Sequence, residues 1–362
     1  MSAAMAEPSW AERLQAAWLG HGRLARGLWP LSCLYGAVVA VRRMLYLTGV
    51  MASHGLSVPV IVVGNLVVGG AGKTPTTLAL IELLKRRGFT PAVVSRGHGR
   101  LTRDLVQVTR RSPVQETGDE PLLIHLRTGV PVAVGPDRAA AARALLRKHP
   151  HVDLLLSDDG LQHLQMRRDT QVIVFDERGV GNGWLLPAGP LREPFKGTQP
   201  PPRSVVVYNA SKATTPWPGH LVRRRLGGLV RLAGWWAGEP AQPDAFDELL
   251  GRPVLAAAGV ARPNRFFDML RAEGLTITEM PLPDHHDFST LPWPDDAGAV
   301  VVTEKDAVKL TPDTPGTAQV WVATLDFQFD AGFEDALVQC LPLGLRPGSS
   351  TAPVPPGFPS IE

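Results

Sequence analysis

Six consecutive residues, Gly69-Gly70-Ala71-Gly72-Lys73-Thr74, limit most sharply what this chain can become. They follow directly on a β-branched apolar run, Val58–Val63. They precede directly a helical pattern, Thr76–Arg87, that stops at Gly88 as a C-cap would. A glycine-rich turn in that setting lets backbone N–H groups approach phosphate oxygens, and the following helix N-terminus adds partial positive charge. Lys73 is placed to reach β- and γ-phosphates and the Thr74 hydroxyl to ligate Mg²⁺. The strict G-x-x-x-x-G-K-[ST] spacing is not met: Val67 occupies the first glycine position and the nearest upstream glycine is Gly64, so the loop is a variant. Gly69, Gly70, Ala71, Gly72, Lys73 and Thr74 are the expected nucleotide-phosphate contacts.

The rest of the chain supplies the sheet such a loop requires. Short apolar runs at Thr90–Ser95, Val130–Val134, Val152–Ser157, Gln171–Phe175 and Ser204–Tyr208 alternate with helical stretches such as the alanine-rich Asp137–His149. This alternation predicts an α/β fold: a P-loop NTPase-like, mostly parallel sheet flanked by helices. A chain of 362 residues has room for a second unit. One is expected from strands at Val254–Ala258, Leu275–Thr278, Ala299–Thr303 and Gln319–Ala323 and a helix at Pro263–Glu273. The expected division is an N-terminal helical segment at 1–52, a core at 53–215, and a Pro/Gly-marked linker region at 216–245. A smaller C-terminal α/β domain at 246–343 and a disordered Pro/Gly/Ser-rich tail at 344–362 complete it.

A net charge of only +3, with 37 Lys and Arg spread along the chain, argues against nucleic acid as a partner. Cys33 and Cys340 match no metal or redox spacing and fit a reducing compartment. The segment from Leu28 to Val50 is apolar and aromatic-rich, but Arg42 and Arg43 interrupt it. Its longest uncharged run, Leu28 to Val41, falls short of the roughly 20 residues that span a bilayer. A core helix, an interfacial helix with both arginines at headgroup level, and a membrane span remain open for it.

Several constellations carry chemistry beyond phosphate binding. Asp158 and Asp159 end a predicted parallel strand, where ligands meet such sheets, and suit a Mg²⁺-holding role beside Thr74. Gly118-Asp119-Glu120 opens a predicted helix; its carboxylates either cap that helix or take a proton from an attacking hydroxyl. Asp284-His285-His286-Asp287 suits a metal or a proton relay equally. Arg192, in the proline-bounded run from Pro187 to Pro194, suits bidentate phosphate recognition, with Glu193 beside it.

Taken together, these motifs resemble the tetraacyldisaccharide 4'-kinase family of the lipid A pathway, whose members phosphorylate the 4'-hydroxyl of a tetraacylated glucosamine disaccharide 1-phosphate. The likeness runs in order through GNLVVGGAGKTP (64–75), SRGHGR (95–100), GDEP (118–121), GPDR (135–138), DDGLQH (158–163), GNGWLLPAGPLREP (181–194), GVARPNRFF (259–267), DHHDF (284–288) and TEKDAVK (303–309). It departs at His98, where tyrosine is usual, and at Asp287, where proline is common.

The resemblance implies ATP and Mg²⁺ as cofactors, a glycolipid partner, no obligatory protein partner, and a peripheral place on the cytoplasmic face of the inner membrane of a Gram-negative cell. The last favours the interfacial reading of the N-terminal helix. It further implies Asp119 as catalytic base supported by His285, preferred to His286 because it directly follows Asp284. Lys73 serves as phosphate clamp and Arg138 as a nucleotide contact, while Thr74, Asp158, Asp159 and Glu120 surround the metal. Arg96, Gln162, Arg192 and Glu193 line the substrate side.

Direct in-line transfer without a phosphoenzyme is expected, with the second domain closing to bring His285 to Asp119. The competing class is a P-loop ATPase switch acting on a protein partner. Val68 stands where many such switches carry a second lysine, and the Asp-His and Pro-Leu-Arg-Glu motifs have no role in them. A soluble small-molecule kinase is the third option, disfavoured by the apolar N-terminal segment.

Overall fold

The computed structural model describes residues 10–312 and 318–342. Helices α1 (Trp10–Ala17) and α2 (Arg23–Leu47) come first, followed by strand β1 (Val60–Gly64) and α3 (Lys73–Arg86). Next are β2 (Pro91–Ser95), β3 (Val106–Gln107), α4 (Val114–Thr117), α5 (Asp119–Thr128), β4 (Val132–Val134) and α6 (Arg138–Lys148). Strands β5 (Leu154–Asp158), β6 (Thr170–Asp176), β7 (Ser204–Asn209) and the long β8 (His220–Arg231) lead into α7 (Leu232–Ala237) and a 3₁₀ turn at Pro243–Leu249. The chain closes with β9 (Val254–Ala258), α8 (Pro263–Ala272), β10 (Ile277–Pro281), β11 (Ala299–Thr303), α9 (Glu304–Ala307), β12 (Gln319–Phe329) and α10 (Phe333–Cys340).

The twelve strands of the described residues join one sheet in the order β10-β9-β11-β12-β8-β7-β6-β1-β5-β2-β4-β3. The first half is parallel except at its β3 edge, and β1 lies between β5 and β6. Its sequence Val-Ile-Val-Val is continuous rather than alternating because helices cover both faces. Ile61 and Val63 pack with α3 and α5, while Val60 and Val62 pack with the alanines of α6. The second half is parallel across β10, β9, β11 and β12, and a smaller cluster around Phe267, Val301 and Trp321 fills one face.

Residues 216–245, expected as a linker, instead supply β8 and α7. β8 runs antiparallel to β12 over nine register pairs but touches β7 at only two, Val207↔His220 and Tyr208↔Leu221. The two halves of the sheet therefore meet at a narrow joint. The arginine run Arg223-Arg224-Arg225 and the pair Gly227-Gly228 disguised this strand in sequence. The expected tail at 344–362 lies outside the described residues.

The segment around Leu28–Val50 is a 25-residue helix, α2, and it is not a core helix. Trp29, Leu31, Leu34, Val38, Val41, Met44 and Leu47 are exposed, at 51% for Trp29 up to 81% for Leu47. Its polar groups hold it to the protein at one side. The Ser32 hydroxyl donates to Leu185 O at 2.7 Å and accepts from Ala188 N at 2.9 Å, and Tyr35 donates to Arg192 O at 3.0 Å.

Candidate active site

The loop from β1 to α3 is shaped by backbone demands that only glycine meets cheaply. Gly72, the N-cap of α3, has φ +94°, and a Cβ there would run into the Asn209 side-chain amide. That amide donates to Ala71 O at 2.9 Å, and Asn65 donates to Gly69 O at 3.2 Å, so side chains from the neighbouring strand ends hold the loop open. Lys73 begins α3; its Nζ donates to Asn65 Oδ1 at 3.3 Å and lies 3.6 Å from Asp159 Oδ1. Thr74 follows in the same first turn.

Two carboxylates at the end of β5 have opposite surroundings. Asp159, held at φ +48°, pairs with Arg192 NH1 at 3.1 Å as well as with Lys73. Burial works against its charge, but Lys73, Arg192 and Arg138 outweigh burial and keep its pKa below the ordinary value. Asp158 is buried and accepts from Thr77 Oγ1 at 3.1 Å. Burial and then Asp159 push its pKa up to about 6, with Glu120 adding to the effect and Lys73 opposing it.

That imbalance has a measurable consequence. A folded pKa above 3.8 means that Asp158 contributes stability below pH 3.8, which is lost as pH rises through about 6. Asp158→Asn keeps the Thr77 hydrogen bond without the charge. It should therefore stabilise the nucleotide-free protein at pH 8 by on the order of 3 kcal/mol. The increment in Tm should shrink toward zero near pH 4; an increment independent of pH would contradict the assignment.

Arg192 and Glu193 reach this site because their segment is zipped to the phosphate loop. Val68 N donates to Pro190 O at 2.9 Å and Arg192 N to Leu66 O at 2.7 Å. Gln162 bridges the group, donating to Glu193 Oε1 at 2.9 Å and accepting from Arg192 at 3.3 Å. Arg43 of α2 lies 3.5 Å from Glu193, so the exposed helix ends against the site. Arg138 is buried behind it and donates to Asp159 O at 3.0 Å. Arg96 is exposed beyond the end of β2 and, among the described residues, makes no hydrogen bond to this group.

On the other side, the two sheet halves meet around Asp119. Gly118, at φ +87° and pressed against His98 O, turns the chain so that Asp119 and Glu120 open α5 without capping it. Asp119 Oδ2 lies 3.1 Å from His285 Nδ1 and 3.3 Å from Lys309 Nζ. Lys305 Nζ lies 3.2 Å from His285 Nε2, 3.2 Å from Asp284 and 3.7 Å from Glu120. An ammonium only donates, so Nε2 accepts and Nδ1 carries the proton that His285 gives to Asp119. Both neighbours engage Oδ2, so among the described residues Oδ1 of this buried carboxylate is open to another donor. His286 turns to its own loop and accepts from Phe288 N at 3.1 Å.

Asp119, Glu120 and His285 thus share one cluster, while Lys73, Asp158, Asp159, Gln162, Arg192 and Glu193 share another beside it. Glu120 couples the two, since its charge is felt at Asp158. Sequence reasoning assigned no role to Lys305 or Lys309, although their i, i+4 spacing in Thr303–Lys309 places both amines on one face. It also missed Asn65 and Asn209, which carry no motif of their own.

A family model described as tetraacyldisaccharide-1-P 4'-kinase matches residues 24–342. A tetraacyldisaccharide 4'-kinase of Leptothrix cholodnii is 53% identical over 337 residues, covering 92% of this chain and 96% of that protein. One from Methylibium petroleiphilum is 52% identical over 335 residues, covering 91% and 93%. The crystal structure of LpxK from Aquifex aeolicus in complex with ATP superposes with a TM-score of 0.73 at 28% identity, over 88% of this chain and 99% of that one.

Proposed function

The chain belongs to the tetraacyldisaccharide 4'-kinase family, and from that premise we infer that it transfers the γ-phosphate of ATP to the 4'-hydroxyl of a tetraacylated glucosamine disaccharide 1-phosphate, a step of lipid A synthesis. The observation that carries the chemistry is the Asp119 carboxylate, held by His285 and Lys309 in a cluster whose next residue, Glu120, acts on Asp158 together with Lys73 of the phosphate loop. A switch ATPase has no use for such a group. ADP release measured with and without the acceptor in detergent separates the two: a kinase releases ADP in step with acceptor, a switch regardless of it.

In the proposed mechanism the loop amides and Lys73 hold the β- and γ-phosphates, and Lys73 and Arg192 exchange Asp159 for phosphate oxygens as the nucleotide enters. Asp119 Oδ1 accepts the 4'-hydroxyl proton while the oxygen attacks the γ-phosphorus in line. His285 and Lys309 stabilise the carboxylate through Oδ2 and fix its direction. His285 and Lys309 of the 246–343 unit already meet Asp119 of the 53–215 core, and closer approach of the two units around the substrates would exclude water.

The residues also fit Mg²⁺. Asp158 is a buried oxygen donor whose charge is only partly compensated, with Thr74 on the adjacent first turn, and hard cations favour such ligands. Among the described residues no three His, Cys, Asp or Glu side chains are grouped to hold a metal, so phosphate oxygens and water would have to complete the sphere. The ion would neutralise charge on the phosphoryl oxygens.

The exposed apolar face of α2 and the approach of its Arg43 to Glu193 support membrane attachment, in which the acyl chains of the acceptor stay in the bilayer while the sugar reaches the site. We propose on this ground a peripheral position on the cytoplasmic face of the inner membrane. Replacing Leu34, Val38 and Val41 by serine removes about 1–2 kcal/mol of apolar transfer each. Sedimentation with anionic phospholipid vesicles should then fall by ~100-fold or more in partition coefficient. Undiminished pelleting would exclude α2 as the attachment.

A further inference from the structure

Asp119 opens α5, and Arg127 sits in that helix's last turn, ~12 Å away at 1.5 Å rise per residue. It cannot touch the reacting groups. Yet both ends of α5 contact one short element: Lys309 reaches Asp119, Lys305 reaches Glu120, and Glu304 receives Arg127 NH1 at 2.6 Å. The other arm of the same guanidinium reaches Asp326 on β12 at 2.5 Å.

Glu304 is only 5% exposed and fully engaged: its second oxygen accepts from Leu325 N at 3.0 Å, and Trp235 Nε1 lies 3.3 Å from the first. Leu325 marks the register shift between β12 and β8, and Gly227 lies across from it, where a Cβ would meet Asp326 Oδ2 at 2.5 Å. The guanidinium therefore ties α5, which packs on the first half of the sheet, to α9 and β12 of the second half. Burial works against its charge, but Glu304 and Asp326 more than compensate and raise its pKa.

We propose that Arg127 is a positioning residue: by gripping Glu304 and Asp326 it fixes α5 in register against the Lys305/Lys309 element, and so sets the direction of the Asp119 carboxylate. The proposal rests on Asp119 being the proton acceptor. Lysine cannot fully replace it, because a single ammonium does not reproduce the planar fork that bridges two carboxylates.

A double-mutant cycle on the full chain tests this, with turnover on ATP and the disaccharide 1-phosphate in detergent and ATP affinity measured by equilibrium binding. Arg127→Met should lower kcat by ~10–100-fold, the scale of an ångström-level misplacement, with ATP affinity retained. In an Asp119→Asn background the further loss should be less than about threefold, since there is no base left to aim. Arg127→Lys should fall between parent and Met. Normal turnover of Arg127→Met, a loss that multiplies with Asp119→Asn, or a parallel fall in ATP affinity would each overturn the proposal. Should Arg127→Met not fold, Asp326→Ala cuts only the more exposed arm, and the same non-additivity is required of its smaller loss. Asp119→Asn alone reports separately on the base: full activity would overturn that premise and the proposal with it, whereas a strong loss there beside normal turnover of Arg127→Met overturns the proposal alone.

Discussion

An Asp119→Asn protein should bind ATP as the parent does and turn over ~10²–10⁴-fold more slowly. The amide keeps the shape of the carboxylate and can still accept one hydrogen bond from His285, but it cannot take a proton from the sugar hydroxyl. It also leaves the ammonium of Lys309, 6% exposed, without its nearest counter-charge, since Asp306 stands off at 4.0 Å. The loss should appear in kcat with acceptor bound, because the removed interaction strengthens only as the proton moves. ATP affinity comes from the loop between β1 and α3, which Asp119 does not touch. Unimpaired turnover would remove Asp119 from the chemistry.

Lys73→Met should be comparably severe and should differ in kind. Lys73 Nζ bridges Asn65 and Asp159 in the free protein, so its ammonium is held where phosphate oxygens arrive. Loss of one preorganised donor to developing charge costs ~10²–10³-fold in turnover. Weaker ATP binding should accompany it, because the ground-state phosphates lose the same cation. Arginine is not expected to rescue: its guanidinium is broader than an ammonium, and the space beside Asp159 already holds that of Arg192. A Lys73→Met protein with unchanged kcat and ATP affinity would contradict the assigned clamp.

The two substitutions read different halves of the site, and the sequence disclosed them unequally. The phosphate loop was legible because its requirements are local: glycines for backbone approach, a helix start, and a lysine and a hydroxyl at fixed offsets. The strands of the first half were equally plain except the two-residue edge strand β3, since β1 and its neighbours are buried on both faces and must be continuously apolar. Asp119 and His285 were individually visible in their motifs; their pairing was expected only from the family resemblance, because a meeting across 166 positions is a property of the folded sheet. Lys305 and Lys309 show the limit more clearly. A lysine pair at helical spacing reads as a solvated face until the structure sets Asp119 and Glu120 opposite it. β8 escaped notice because its arginines and paired glycines mimic a loop, and only its pairing with β12 makes it a strand. The tie from Arg127 to Glu304 has no sequence signature, for each residue is an ordinary helix charge until the joint is assembled.

The most direct measurement is the identity of the product. The protein, ATP, Mg²⁺ and the tetraacylated disaccharide 1-phosphate are incubated in detergent, and the recovered glycolipid is examined by mass spectrometry and by phosphorus NMR. The account predicts a gain of one phosphoryl group, carried as an ester on the 4'-oxygen. ATP consumed with the glycolipid unchanged, or a phosphate found on any other oxygen, would contradict it.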